Sequence, residues 1–268
     1  MVVQHNMQAA NASRMLNITS TAQSKSTEKL SSGYKINRAA DDAAGLSISE
    51  KMRRQIRGLD RASTNAQDGI SAVQTAEGAL NEVHSMLQRA NELAVQAANG
   101  TNASKDIAAI SNEITQLKTE IERIGNTTDF NGKKMLTGVD VSIFAGYESG
   151  DDDIVISGVS LKTKAADELV AFSTSAQAKS LIANIKSAIQ NVSDARSTFG
   201  AVQNRLEHTV DNLDNIVENV TAAESRIRDT DMADEMVKYS KNNILQQAGQ
   251  SMLAQANQST QGVLSLLQ

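Results

Sequence analysis

The amino-acid sequence predicts a mainly α protein: a long antiparallel coiled-coil helical bundle with a small β-hairpin region and with its N- and C-terminal helices paired. Three observations support this prediction. The 268 residues include no proline, so helices of many turns are permitted. Aromatic residues make up 3% of the chain, which favours thin cores between packed helices over a thick globular core. Apolar or small residues recur at alternating three- and four-residue spacing in both halves, as in coiled coils.

The two ends of the chain share one composition. Residues 1–34 are rich in Ser, Asn, Gln and Thr and carry a narrow apolar stripe, and residues 230–268 alternate Gln and Asn with isolated apolar residues. Burial this sparse does not offset the ordering entropy of an isolated helix. Both ends are therefore predicted to be largely unfolded in the free subunit and to become helical against neighbouring copies.

A joint between two helical segments is predicted at residues 30–45. Gly33 suits the left-handed position after a helix, and Asp41 or Asp42 can cap the next helix. That helix runs from Ala43 to Ala98 without a strong stop and, at about 1.5 Å per residue, reaches on the order of 80 Å. Its seam comprises Leu59, Ala62, Ala66, Gly69, Val73, Ala76, Leu80, Val83, Leu87, Ala90, Ala94 and Ala97.

A shorter seam predicts a third helix, which Ser104 can cap and Gly125 closes. Its members are Ile107, Ile110, Ile114, Leu117, Ile121 and Ile124.

Residues 131–176 do not fit a helical pattern. Val141–Tyr147 and Ile154–Ile156 flank a turn at residues 149–153, which predicts a small hairpin region. A short helical segment is expected from Ala165 onward, and a second long seam begins near Ser180. The seam comprises Leu181, Ile185, Ala188, Val192, Ala195, Phe199, Val202, Leu206, Thr209, Leu213, Ile216, Val220, Ala223 and Ile227.

Composition and charge exclude several classes of protein. A net charge of -5 and a pI near 5.3 argue against a nucleic-acid-binding domain, and the basic run Lys51–Arg61 is interpreted as a solvated or salt-bridging helix face. No apolar run approaches the roughly 20 residues that span a bilayer, so no membrane partner is expected. Met1–Asn17 lacks the apolar core of a secretory signal, so any export is expected to use another signal.

The sequence predicts no catalytic residue, metal site or cofactor. The chain has no cysteine, and His5, His84 and His208 stand far apart, which indicates solvated histidines. Asp151–Asp153 at the turn indicate solvated charge, because calcium loops draw ligands from alternating positions.

Several motifs closely resemble those of bacterial flagellin. They occur in order through both terminal regions, so the resemblance is specific, and residues 134–180 are the part that it determines poorly. The matching stretches are Leu30–Gly33, Asp41–Gly45, Ala66–Ile70, Thr75–Asn81, Leu87–Gln96, Phe130–Gly132, Phe199–Arg205, Ala223–Ile227, Ile244–Gly249, Leu253–Asn257 and Val263–Leu267.

The resemblance implies a structural, non-enzymatic subunit that self-assembles into the helical tube of the flagellar filament for motility. Residues 1–43 and 229–268 would form a terminal inner-tube coiled coil, and residues 44–228 an outer-tube bundle. The subunit would be secreted by flagellum-specific type III export to the extracellular filament. Its implied partners are other copies of itself, an export chaperone, the filament cap and the hook–filament junction proteins.

The resemblance also implies two sets of functional residues. A patch recognised by host Toll-like receptor 5 would lie on the outer bundle, where Asn91 stands in place of the Arg of many receptor-active members. The patch residues are Gln88, Arg89, Leu93, Gln96 and Glu113. The residues that match the self-assembly regions are Leu30, Asp41, Asp42, Gly45, Leu253, Val263, Leu264, Leu266 and Leu267. Arg89 and Glu113 also suit a simpler role as exposed residues that pack against the next subunit.

Two other classes of protein remain open. A hook–filament junction protein shares the terminal pattern, although the Gln88–Gln96 stretch and the C-terminal match favour the main filament subunit. A cytoplasmic coiled-coil scaffold, such as a chemoreceptor tail, explains the heptads but not the polar ends.

Overall fold

The computed structural model describes residues 6–148 and 153–266. Within this part, the helices are α1 (Met7–Ser32), α2 (Ala43–Ala97), α3 (Ser104–Thr127), α4 (Ser175–Arg228) and α5 (Met232–Leu266), with a π-helical turn at Lys162–Ala166. The strands are β1 (Asp129–Phe130), β2 (Lys133–Lys134), β3 (Val141–Ile143) and β4 (Ile154–Ile156). None of the described helices is long and apolar enough to cross a bilayer.

The chain divides into two compact units. Residues 1–54 and 219–268 form the first, named here the terminal unit, and residues 55–218 form the second, the bundle unit. The predicted inner tube and outer tube are features of the filament, so their assignment stays a prediction: residues 1–43 with 229–268 for the inner tube, and 44–228 for the outer tube.

The bundle unit buries the predicted apolar seams of α2, α3 and α4 in one large core and one small cluster, which consists of Leu59, Ala62 and Leu213. The α2 seam is buried from Leu59 to Ala97, and the α4 seam from Leu181 to Leu213, with half-buried positions at Val202 and Thr209. Because many seam residues are Ala, the helices can approach closely. The prediction of a mainly α fold built from long packed helices with a small hairpin region is confirmed.

The predicted hairpin is formed by β3 and β4. The strands pair antiparallel, with Ile143 opposite Ile154, and the side chain of Ile154 is buried. A Cβ on Gly69 of α2 would lie 3.1 Å from Cγ1 of Ile143, so glycine lets β3 approach this helix. The first strand is shorter than predicted, because the carbonyl of Phe144 accepts a hydrogen bond from Asn65 Nδ2 (3.1 Å). The turn, residues 149–152, lies outside the described residues.

A second hairpin, β1–β2, is absent from the sequence prediction. Asn131 and Gly132 join its strands with φ angles of 50° and 77°, as a type I′ turn requires. The carboxylate of Asp129 accepts a hydrogen bond from the Gly132 amide (3.1 Å). The Asn-Gly dipeptide was the signal that could have predicted this turn.

Both predicted boundaries of α3 are wrong by one to three residues. The N-cap is Ala103, not Ser104, and its amide donates a hydrogen bond to the Asp106 carboxylate (3.1 Å). The helix passes through Gly125 and ends at Thr127, because Gly125 is buried and leaves room for a neighbouring side chain.

The segment between β4 and α4 also differs from the prediction. The helical segment expected from Ala165 is the π-helical turn Lys162–Ala166, whose Lys164 carbonyl accepts a hydrogen bond from Asn191 Nδ2 (3.2 Å). α4 begins at Ser175, where the hydroxyl of Thr174 accepts a hydrogen bond from the Gln177 amide (3.4 Å), and its predicted seam is buried from Leu181 onward.

Candidate assembly and recognition surfaces

In the terminal unit, α1 and α5 pack against each other along a seam with coiled-coil spacing. The predicted pairing of the terminal helices is confirmed, but the seam is far more polar than the seams of the bundle unit. Its buried and half-buried members on α1 are Ala9, Ala12, Leu16, Thr19, Gln23, Ser26 and Leu30. On α5 they are Glu235, Tyr239, Asn242, Gln246, Gly249, Leu253 and Ala256. Sequence reasoning based on apolar residues missed this seam, and its three- and four-residue spacing was the available signal.

One position of the seam buries a carboxylate. Glu235 is 5% exposed, lies beside the buried hydroxyl of Ser26, and accepts a hydrogen bond from Lys238 Nζ (3.1 Å). Burial alone would raise the pKa of Glu235, but the neighbouring Ser26 hydroxyl, the Lys238 hydrogen bond and the charges of Lys238 and Lys29 outweigh it and lower the pKa. The carboxylate is therefore held ionised inside the helix pair.

Large apolar side chains of α1 and α5 are exposed outside the seam. Val237 is 69% exposed and Ile244 is 67% exposed, and their seven-residue spacing places them on one face of α5. On α1, Ile18 is 57% exposed. Exposed apolar surface of this kind marks an interaction site. The exposed apolar residues of the pair are Met7, Met15, Ile18, Met232, Met236, Val237, Ile244, Leu245 and Met252; Met15, Leu245 and Met252 line a groove between the two helices.

The predicted joint between α1 and α2 is built from glycine and aspartate. Gly33 has a φ of 77° and closes α1 with a hydrogen bond from its amide to the Lys29 carbonyl (2.8 Å). Of the two candidate caps, Asp42 caps α2, because its carboxylate accepts a hydrogen bond from the Gly45 amide (2.9 Å). Asp41 instead stabilises the preceding loop.

The backbone amides of Arg38 and Asn37 donate hydrogen bonds to the Asp41 carboxylate and lower its pKa. Because the folded-state pKa is lowered, ionised Asp41 favours the folded joint at neutral pH. This contribution disappears as the pH falls through the lowered pKa.

A cation–π contact and an ion pair connect the joint to the end of α4. The guanidinium of Arg228 lies 4.6 Å from the ring centroid of Tyr34, and its Nη1 lies 3.1 Å from Oε1 of Glu50. The Lys35 amide donates a hydrogen bond to the Arg228 carbonyl (2.7 Å). These contacts fix where α1 ends relative to the start of α5.

Replacing Gly45 by alanine is expected to destabilise the terminal unit by about 1–3 kcal/mol. The added Cβ would lie 2.5 Å from Oδ2 of the capping Asp42 and 2.7 Å from Cδ1 of Ile36, which is buried. The measurement is urea unfolding of the full chain. Gly78 is the matched control in α2, because nothing lies within 4 Å of its added Cβ, and Gly78→Ala should be neutral or stabilising. Equal effects of both substitutions would contradict the packing argument.

In the bundle unit, an ion pair connects α2 with α3 at the predicted recognition patch. Arg89 Nη2 lies 3.1 Å from Oε1 of Glu113 on α3, and Nη1 lies 3.2 Å from Oε2 of Glu92. The hydrogen bond with Glu113, followed by that with Glu92, raises the pKa of Arg89, so the guanidinium stays charged. The structure thus brings Arg89 and Glu113 together.

The other patch residues are divided between surface and core. Gln88 and Gln96 are exposed on α2, whereas Leu93 is 2% exposed and belongs to the core. Leu93 can therefore hold the patch in place but cannot form part of its surface. His84 is half-buried beside Gln88, with its Nε2 3.0 Å from Nε2 of Gln88, so its ring is partly solvated.

Comparison with known protein families identifies the chain. The bacterial flagellin N-terminal helical region matches residues 3–140, and the bacterial flagellin C-terminal helical region matches residues 182–267. The chain belongs to the flagellin family. The resemblance found in the sequence motifs is therefore confirmed.

Individual relatives show the same relationship. A flagellin of Halalkalibacterium halodurans is 55% identical over 273 residues, and a flagellin of Bacillus subtilis is 48% identical over 303 residues; each match spans 100% of both chains. The crystal structure of Bacillus cereus flagellin, 33% identical, gives a TM-score of 0.51 and covers 56% of this chain and 88% of that chain.

Family membership gives this flagellin its general role. Flagellins are structural proteins and not enzymes, so the chain is a structural subunit of the flagellar filament. Of the residues that match the self-assembly regions, Leu30 and Leu253 are half-buried in the α1–α5 seam. The side chains of Val263, Leu264 and Leu266, and the whole of Leu267, lie outside the described residues.

Proposed function

We propose that copies of this flagellin polymerise by burying the exposed apolar faces of α1 and α5 between neighbours in the extracellular filament. The observation that carries the proposal is the exposure of Val237, Ile244 and Ile18 on the faces that the α1–α5 pair leaves uncovered. Complete burial of one such side chain contributes about 1.5–3 kcal/mol. Several of them per copy favour ordered association over free subunits.

The same apolar faces support the remaining filament properties implied by family resemblance. Contacts between different surfaces of successive copies do not close on themselves, so they produce an open helical assembly. The polar α1–α5 seam gives a free subunit weak support for its terminal helices, which favours coupled ordering and polymerisation.

An export chaperone that covers α5 before secretion would keep its apolar face from premature association. The filament cap and the hook–filament junction proteins would contact the same terminal helices at the filament ends.

The experiment that tests this function is seeded polymerisation of the purified chain on flagellar filament fragments, followed by negative-stain electron microscopy. Growth of uniform tubes is the expected result. Short ends that do not elongate would favour a hook–filament junction protein. A soluble helical protein that never associates with the seeds would favour a coiled-coil scaffold.

Recognition by Toll-like receptor 5 is the second function we propose, for the exposed patch around Arg89. The supporting observation is that Arg89 and Glu113 form an exposed ion pair across α2 and α3, next to exposed Gln88. A guanidinium presented beside a carboxylate offers donors and acceptors for charged and polar partner groups, and Arg is common among residues that dominate interfaces.

Replacing Arg89 by glutamate is expected to weaken receptor signalling by the purified subunit at least about tenfold. The double variant R89E/E113R restores an ion pair with the charges exchanged, and signalling should stay low if the receptor contacts these charges. Exposed Asp68, about 30 Å along α2 from Arg89, provides the control D68N, which should signal normally. The assay is dose-dependent activation of cells that express the receptor, and unchanged activation by R89E would reject the patch.

A further inference from the structure

The α1–α5 pair has little apolar packing with which to choose its register. Thr19, Gln23, Asn242 and Gln246 occupy seam positions, whereas the α2, α3 and α4 seams of the bundle unit hold apolar or small residues with the single exception of Thr209. A slip of one heptad displaces the helices by about 10 Å and again places small or polar residues opposite one another. Apolar burial therefore discriminates weakly between the observed register and its neighbours.

Two polar contacts near opposite ends of the pair accompany the observed register. Asn6 Nδ2 donates a hydrogen bond to the carbonyl of Ala256 (2.9 Å), and the Ser26 hydroxyl lies beside the Glu235 carboxylate, with the two residues 4% and 5% exposed. The contacts are separated by 20 residues along α1 and 21 along α5, so both belong to one antiparallel alignment. The Asn6 contact ends on a backbone carbonyl, which every residue offers, whereas the Ser26 contact requires two particular side chains.

Glu235 makes other registers unfavourable. Among the described residues it is the one acidic or basic residue that is buried, and a buried carboxylate with too few donors is destabilising. In a slipped register it would keep Lys238, on the same helix, and lose the donor that Ser26 offers. A slip of one heptad would place Glu235 opposite Thr19, whose hydroxyl already donates to the Met15 carbonyl (3.0 Å). A slip in the other direction would place it opposite Gly33, where α1 has ended.

We propose that the Ser26–Glu235 contact determines the register of the α1–α5 pair in this flagellin. It selects one alignment of two helices whose packing alone tolerates several, and Lys238 assists by neutralising the buried carboxylate. The inference deepens the proposed assembly function, because each copy must present its exposed apolar residues at the same height along the pair.

The absence of cysteine makes the register directly measurable by cross-linking in the full chain. A Cβ on Gly249 would lie 3.2 Å from Cδ1 of Leu16, so L16C with G249C reports the observed register. L16C with N242C, or with A256C, reports a slip of one heptad in either direction. The probe is a thiol-to-thiol cross-linker shorter than the rise of one heptad, applied to seeded filaments and to the unassembled chain.

The decisive variant is S26A/E235L, which replaces the polar contact by apolar groups. We expect the slipped cross-links to rise at least about fivefold in this variant. E235Q keeps an acceptor for the Ser26 hydroxyl and should retain the observed register. The matched control is D234N, which removes a negative charge from an exposed residue in the same turn of α5 and should also retain it.

Two results would overturn the inference. The first is that S26A/E235L yields the observed-register cross-link alone. The second is that it loses assembly without any slipped cross-link, which would show that the contact merely stabilises the pair. Cross-linking is read independently of growth, so a parent chain that cross-links in the observed register but does not elongate seeds would contradict the proposed function instead.

Discussion

Replacing Val237 and Ile244 together by aspartate should abolish growth of filaments from this flagellin. Both side chains are exposed on one face of α5, and neither belongs to the α1–α5 seam, so the substitutions remove no contact that holds the pair together. On assembly, two carboxylates would be buried at an interface that provides apolar neighbours. The effective penalty is several kcal/mol for each unpaired ion, which exceeds what the lost side chains contributed.

The measurement is the rate of seeded elongation, followed by light scattering and electron microscopy. V237I/I244L is the matched control, because it retains the apolar character of the face, and it should elongate at a rate close to that of the parent chain. Circular dichroism of the unassembled variant should show an intact bundle unit. Elongation of V237D/I244D at the parental rate would rule out this face as an assembly surface.

Truncating Phe199 to alanine should lower the free energy of unfolding of the bundle unit by about 3–5 kcal/mol. Phe199 is 0% exposed and is the largest fully buried side chain among the described residues. Its removal deletes apolar contacts at the α4 seam and leaves a cavity, because the surrounding helices are held apart by their other layers. Such a loss is a large fraction of the stability of an ordinary domain.

Urea unfolding followed by circular dichroism measures this change. Ser197 lies two residues away on the exposed side of α4, and S197A should alter stability by no more than about 0.5 kcal/mol. A loss below about 1 kcal/mol for F199A would indicate that the core readjusts around the missing ring. F199A should also impair assembly, but indirectly, because it destabilises the bundle unit. V237D/I244D should impair assembly while its bundle unit remains stable.

The elements that the sequence predicted well are those whose signal lies within one segment. The seam from Leu59 to Ala97 is buried as its spacing requires, and Gly33 ends α1 in the left-handed conformation. The predictions that failed involve competition between local signals. Ser104 is a good capping residue, but the Asp106 carboxylate accepts a hydrogen bond from the amide of Ala103. Ala103 is therefore the N-cap, and α3 begins one residue earlier than predicted.

The candidate sites were predictable to a smaller extent. Motif resemblance identified Arg89 and Glu113, but it also placed Leu93 in a surface patch, whereas the packing of α2 against its neighbours buries Leu93. Glu235 was not singled out at all. An acidic residue in the first turn of a helix is an ordinary sequence feature, and nothing local shows that another helix will cover it.

The long helices, their apolar faces and the flagellin family could be read from the order of the residues alone, because helix formation without proline and heptad spacing depend on residues within a few turns of one another. The packing of α1 against α5 was needed to show that Ser26 lies beside Glu235 and that Val237 and Ile244 stay uncovered. These outcomes depend on how segments about 200 residues apart align, and the polar α1–α5 seam carries too little apolar pattern for that alignment to be read from the sequence.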